Sequence, residues 1–279
     1  MGGAERNARK KRQAQLAARG KPAVARNKSV DRKPVIIGVV VVVVLLGAVI
    51  GGVLYTSNKK NATEGENIAA KATTELDDAA TGAAGDDVTY PVQRDGAAVL
   101  VGQKTAKVTL DLYEDFLCPV CHQFETDFGD DLAQHVKDGS LRLQYHMLPL
   151  LNNSSDPPGY SMDSANAGLC AADAGKFPQF HQSLYDAQPE EGARGWDKQQ
   201  LAKLGQDLGI TDAAFKSCVE SGKYDSVVQS AFDKIRTTPY LQQDLNGQTG
   251  FGTPTVAKGH EVIDTSDPKW LDALLANPS

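Results

Sequence analysis

Two cysteines separated by two residues, Cys118-Pro119-Val120-Cys121, are the part of this chain most suited to covalent chemistry. A C-x-x-C pair can close into a disulfide or open into two thiols, exchanging with other thiols through a mixed disulfide. The spacing favours that reading when the first cysteine begins a helix. Unpaired backbone N–H groups and the helix dipole there stabilise a thiolate and lower the thiol pKa. Pro119 suits a first helical turn, where no N–H is needed. Cys121 lies one turn further in, more buried, as the resolving thiol. Three other readings compete. A zinc site needs a second ligand pair, and Cys170 and Cys218 are far apart in sequence within a helical region. A purely structural disulfide is the second. The third is c-type haem attachment, because His122 completes C-x-x-C-H. Haem would place the motif in a small helical domain with an axial partner, whereas here it joins a hydrophobic strand to a long helix. His122 is then a first-turn surface residue or a tuner of the Cys118 thiolate. The other four histidines carry no motif and read as surface or packing residues.

The elements that must position this pair are legible in the hydrophobic pattern. Val108–Tyr113 is a short β-rich run. Val120, Phe124, Phe128, Leu132 and Val136 recur every four residues, which predicts a helix over 119–137 ended by Asp138-Gly139. Leu141–Leu151 returns as a strand, and a strand–helix–strand unit implies parallel pairing. Residues 160–247 read as helices only, one of them capped by Thr211 and carrying Phe215, Cys218 and Val219. The stretch QTGFGTPTVAKGHEVI then approaches a short strand, a Lys258-Gly259 turn and another strand, and Trp270, Leu271, Leu274 and Leu275 mark a last helix. The order is β-α-β, a helical block, then β-β-α, an α/β fold.

The 279 residues carry a net charge of −6, but unevenly. Residues 1–33 hold 11 Lys and Arg against Glu5 and Asp31, a local +9, which leaves −15 for the remainder. Val35–Tyr55 is an uncharged apolar run of 21 residues, the length of helix that spans a bilayer core of about 30 Å. The sequence therefore divides into a basic cytoplasmic tail (1–34), a single transmembrane helix (35–55), a flexible linker (56–87) and a globular domain (88–279). Positive residues stay inside, so the domain is expected outside the cell membrane. The run exceeds the h-region of a cleaved signal and no A-x-A site follows it. The basic tail has no interleaved aromatics, which argues against nucleic-acid binding. The linker has no aromatic residue and little large apolar content, too little to offset the entropy of ordering.

The run Tyr113-Glu-Asp-Phe-Leu-Cys-Pro-Val-Cys121, together with Gly252-Thr-Pro-Thr255, resembles the DsbA-like thioredoxin-fold thiol–disulfide oxidoreductases, in their membrane-tethered bacterial branch. The resemblance covers about 88–279. It implies a thioredoxin fold interrupted by an all-helical insertion at about 157–247. It also implies a cis peptide at Pro254 opposite the cysteines, with Thr253 presenting its backbone to substrate. Two positions depart from the family pattern. The dipeptide Pro119-Val120 contains no histidine, which implies a weaker thiolate. The place of a thioredoxin-type buried acid, six residues before Cys118, is Leu112; Asp111 or Glu114 is left as a proton relay. Cys170 and Cys218, on two helices of the insertion in an oxidising compartment, fit a structural disulfide, with two buried free thiols as the alternative.

The resulting expectation is a membrane-anchored, extracytoplasmic enzyme that oxidises reduced exported proteins and acts as a monomer. It needs no metal or other cofactor. A membrane partner resembling DsbB or a vitamin K epoxide reductase homologue would reoxidise it. A reductase or isomerase of the same fold is the alternative direction.

Overall fold

The computed structural model describes residues 59–71, 91–245 and 247–277, all within one compact unit, Leu54–Ser279. The basic tail and the apolar run Val35–Tyr55 lie outside the described residues. No helix among the described residues is long and apolar enough to cross a membrane.

A mixed six-stranded sheet forms the centre. Its strands are β1 (Val92–Asp95), β2 (Ala98–Val101), β3 (Val108–Glu114), β4 (Leu141–Met147), β7 (Thr255–Lys258) and β8 (Glu261–Val262), in the order β1-β2-β4-β3-β7-β8. β3 and β4 pair in parallel, Val108 opposite Leu141 through Glu114 opposite Met147. The crossover between them is helix α1 (Pro119–Lys137). β7 runs antiparallel to β3 on its other side, with Tyr113 opposite Thr255. β3 is thus interior to the sheet. Its two faces read separately, as the period of two requires. Leu110 and Leu112 enter the main core, while Tyr113 enters a second cluster with Leu148, Leu241 and Ala257.

Between β4 and β7 the chain forms α2 (Tyr160–Asp173), α3 (Phe177–Asp186), α4 (Lys198–Asp207), α5 (Ala213–Ser221) and α6 (Asp225–Ile235). Phe177, Phe180 and Leu184 on α3, and Leu201 and Leu204 on α4, are fully or nearly fully buried in the same core as the sheet. A disulfide joins Cys170 on α2 to Cys218 on α5. The last helix, α7 (Trp270–Ala276), packs Trp270 edge-on to Phe128 of α1.

Several local expectations need correction. The β1–β2 hairpin was not anticipated, although Asp95-Gly96 is a turn pair and Gly96 has φ +60°. Residues 160–247 are not helices only. A 3₁₀ turn (Pro239–Leu241) and a small hairpin, β5 (Gln243–Leu245) with β6 (Gln248–Gly250), close that stretch. The β4 strand stops at Met147 rather than Leu151, and Pro149 follows. Asp212, not Thr211, caps α5, accepting from the Ala214 N–H at 2.8 Å. Val120 is not on the core stripe of α1; it is 62% exposed.

The linker expectation for 56–87 also changes. Residues 59–71 lie along the helical insertion, with Thr63 and Ile68 buried. Composition misses this because two buried side chains and a few hydrogen bonds, most of them between side chain and backbone, suffice to hold a segment that has no core of its own.

Candidate active site

Cys118 is the N-cap of α1, with extended backbone (φ −74°, ψ 116°), and Pro119 follows in the first turn. The strand β3 ends four residues earlier. Asp115 organises the intervening turn: one carboxylate oxygen accepts from the Leu117 N–H at 2.8 Å and the other from the Leu151 N–H at 2.7 Å. The Cys118 N–H donates to Asp115 O at 2.9 Å. The reactive position is therefore fixed by a strand end, a buried carboxylate and a helix start.

Cys118 and Cys121 are both free thiols in this structure and their environments push them apart. Cys118 is lowered to about 6, first by the hydrogen bond from the Cys121 thiol. The Thr253 side chain and the Cys121 and Val120 backbone N–H groups assist against the opposing effect of burial. Cys121 has no exposed surface, and burial, then its bond to Cys118, raises it well above the usual thiol value. One thiol is thus prepared as a nucleophile and leaving group, the other as a protonated thiol.

Opposite the pair, the Thr253–Pro254 peptide is cis. As a thiol, Cys118 donates to Thr253 O at 3.4 Å. The buried Thr253 hydroxyl has no hydrogen-bond partner, which leaves it available to a thiolate or to substrate backbone. The sequence-selected residues Cys118, Pro119, Val120, Cys121, Thr253 and Pro254 come from opposite ends of the domain and meet here.

Of the two relay candidates, only Glu114 faces this site. Asp111 projects from the other face of β3, where His146 Nε2 lies 2.9 Å from its carboxylate. Glu114 is fully buried, and burial, reinforced by the Cys118 charge, pushes it up to about 8. Its Oε2 shares a hydrogen bond with His181 Nε2 at 2.9 Å. Glu125 of α1 completes the cluster; burial and then Glu114 raise it well above the ordinary carboxylate range. Burial keeps His181 below its usual value, so a neutral imidazole faces two carboxyl groups. These are protonated more readily than ionised, since two adjacent buried carboxylates with no facing cation among the described residues repel each other.

Glu125 and His181 were missed. His181 is a packing residue, its ring against Phe116, Phe177 and Tyr185 on the buried face of α3, and a polar ring there also needs a partner. Glu125, four residues after Cys121, falls on the buried stripe of α1. A charge on that stripe was the available signal. Glu114, Glu125 and His181 also place ligand atoms within 4.8 Å of one another, close enough to hold a metal ion. His122 instead turns its Nδ1–H to the Tyr185 carbonyl oxygen at 2.8 Å, tying α1 to the end of α3. With Cys121 wholly enclosed, the pair presents no open face for haem attachment.

The thioredoxin family profile matches residues 94–277. The chain belongs to the thioredoxin family, and solved structures of DsbA-type proteins are among those it resembles. Crystallised DsbA from Mycobacterium tuberculosis in its reduced form superposes with a TM-score of 0.54 at 28% identity, over 64% of this chain and 91% of that one. The reduced disulfide oxidoreductase DsbG of the same organism superposes at 0.52 with 30% identity, over 65% and 86%. Among curated proteins, the serine/threonine-protein kinase PknE of M. tuberculosis is 32% identical over 197 residues, 68% of this chain. The chain spans only 33% of that kinase's length.

Proposed function

We propose that this chain is a membrane-anchored, extracytoplasmic enzyme that introduces disulfides into exported proteins, with Cys118 and Cys121 as its redox pair. The observation that carries the reading is the split between the two thiols, one lowered to about 6 and one raised by burial. A low pKa on the helix-start thiol stabilises the reduced enzyme and so favours oxidation of substrates.

In the oxidised enzyme a substrate thiolate attacks Cys118 Sγ. The Cys118–Cys121 bond breaks and its electron pair goes to Cys121 Sγ. Because Cys121 strongly favours its protonated form, it takes up a proton, and Glu114, near 8, is matched to supply one at neutral pH. The second substrate thiol, deprotonated, then attacks the substrate sulfur of the mixed disulfide. Cys118 departs as a thiolate, the substrate has lost two electrons, and the pair has gained them. Thr253 and the cis Pro254 hold the substrate backbone against the cysteines in strand fashion. A membrane partner resembling DsbB or a vitamin K epoxide reductase homologue takes the two electrons away. The apolar run Val35–Tyr55 supports the anchor, and the basic residues before it support the outside location.

A Cys121→Ser variant in intact cells tests the reading. It should accumulate mixed disulfides between Cys118 and exported proteins that vanish on reduction; absence of thiol-sensitive adducts defeats it. Direction is read from the reduction potential of the pair. An oxidase should be clearly less reducing than thioredoxin, at about −270 mV, and a value at or below that level would assign a reductase.

A further inference from the structure

Residues 59–71 lie outside the thioredoxin match, yet they touch the machinery that holds Cys118. The Thr63 hydroxyl donates to Gly195 O at 2.8 Å, and the Arg194 N–H donates to Lys59 O at 2.9 Å. Gln200 Nε2 donates to Thr63 O and to Glu66 O. Further along, the Lys71 N–H donates to Ser183 Oγ at 3.0 Å, and its ammonium pairs with Asp186 at 2.6 Å. The segment is a strap across α3, α4 and the 187–197 loop between them.

That loop reaches the active cysteine. Trp196, next to the strapped Gly195, donates its indole N–H to Ala187 O at 2.8 Å. The adjacent Gln188 donates from Nε2 to both Phe116 O and Cys118 O at 3.0 Å. Strap and loop line an open pocket of about 440 Å³, with Thr63, Trp196 and Gln188 in its wall. The Gln188 amide bridges the Phe116 and Cys118 carbonyls, beside the His122 N–H that also donates to Cys118 O at 3.1 Å, and so fixes the turn that carries Cys118.

We propose that residues 59–71 are a working part of the catalytic domain, and that Gln188, held by the loop they clamp, is a positioning residue for Cys118. The proposal rests on Cys118 being the reacting thiol. The chain emerging from the apolar run would then be coupled to the reactivity of the active site.

The test uses the reduced full-length chain in detergent, with the iodoacetamide alkylation rate of Cys118 followed against pH by mass spectrometry. Gln188→Ala should raise the pH midpoint and slow alkylation at pH 6 by roughly threefold to tenfold, because less thiolate is present. The rate on the alkaline plateau should change by less than about twofold. Replacing residues 59–71 with a Gly/Ser stretch of equal length should move the midpoint the same way, and should add little to Gln188→Ala, since both act through one network. If that replacement prevents folding, Thr63→Val decides. A wild-type midpoint in the folded strap variant, or shifts that simply add, overturns the coupling. A wild-type protein with no acidic midpoint at all would instead overturn the assignment of Cys118 as the reacting thiol.

Discussion

Cys118 and Cys121 are the same residue type three positions apart, and burial alone does not separate them, since both are largely enclosed. What separates them is donor geometry at Cys118 and complete burial at Cys121. Cys118 receives the Cys121 thiol and helix-start N–H groups, while Cys121 faces the Glu114 carboxyl. Glu114 gives a pH signature. It titrates near 4.5 in the unfolded chain and near 8 in the folded one. A raised acid stabilises the fold fully below the unfolded value and loses that contribution as pH climbs to the folded value. Glu114→Gln carries no titrating proton, so reduced variant and wild type should diverge between pH 5 and pH 8, with the variant gaining in relative stability. Urea unfolding at the two pH values reads this, and a constant difference would mean that burial does not govern the group. The C-x-x-C pair is legible in sequence as a motif, and Thr253-Pro254 through the family resemblance. Glu125, His181 and Gln188 were not, because each acquires its role from a partner distant in the chain.

At the scale of elements, β3, α1 and β4 followed directly from hydrophobic period, and the parallel pairing followed from their order. The hairpins were harder: strands of three or four residues carry too few side chains for a period to emerge. The packing of α4 against α5 depends on a position whose significance is invisible locally. A Cβ on Gly205 would meet the Phe215 ring at 2.0 Å. Ala is about 1 kcal/mol better than Gly in a helix interior, but overpacking a core costs about 1–3 kcal/mol. Gly205→Ala should therefore lower the melting temperature, and an unchanged or higher value would show that Phe215 has room to move. The Cys170–Cys218 bridge closes a separation of 48 residues. Changing both cysteines to serine should lower stability by at most about 4 kcal/mol on loop entropy, measured by denaturant unfolding of otherwise oxidised protein. A larger loss would show that the bridge also holds α2 and α5 in register.

At the scale of the whole molecule, charge asymmetry makes a prediction about topology. On intact cells, a membrane-impermeant maleimide should label a cysteine introduced at exposed Lys104, and should leave one introduced at Ser29 unlabelled until the cells are opened. The reverse pattern would invert the orientation. The strap carries the same lesson in another form. A segment with almost no large apolar residues reads as linker, yet it is held by hydrogen bonds to Gly195, Ser183 and Gln200 that belong to the far side of the sequence. By itself the sequence determined the C-x-x-C pair and where it falls, the strand–helix–strand frame and the split between a basic end and an acidic remainder. Motif spacing, hydrophobic period and net charge are local properties, readable residue by residue. Only the tertiary structure decided which acid faces the cysteines, which histidine is enclosed with it, and that residues 59–71 join the domain. Burial and long-range hydrogen bonding exist only once distant segments meet, and they fix both the proton affinity of Glu114 and the setting of Cys118.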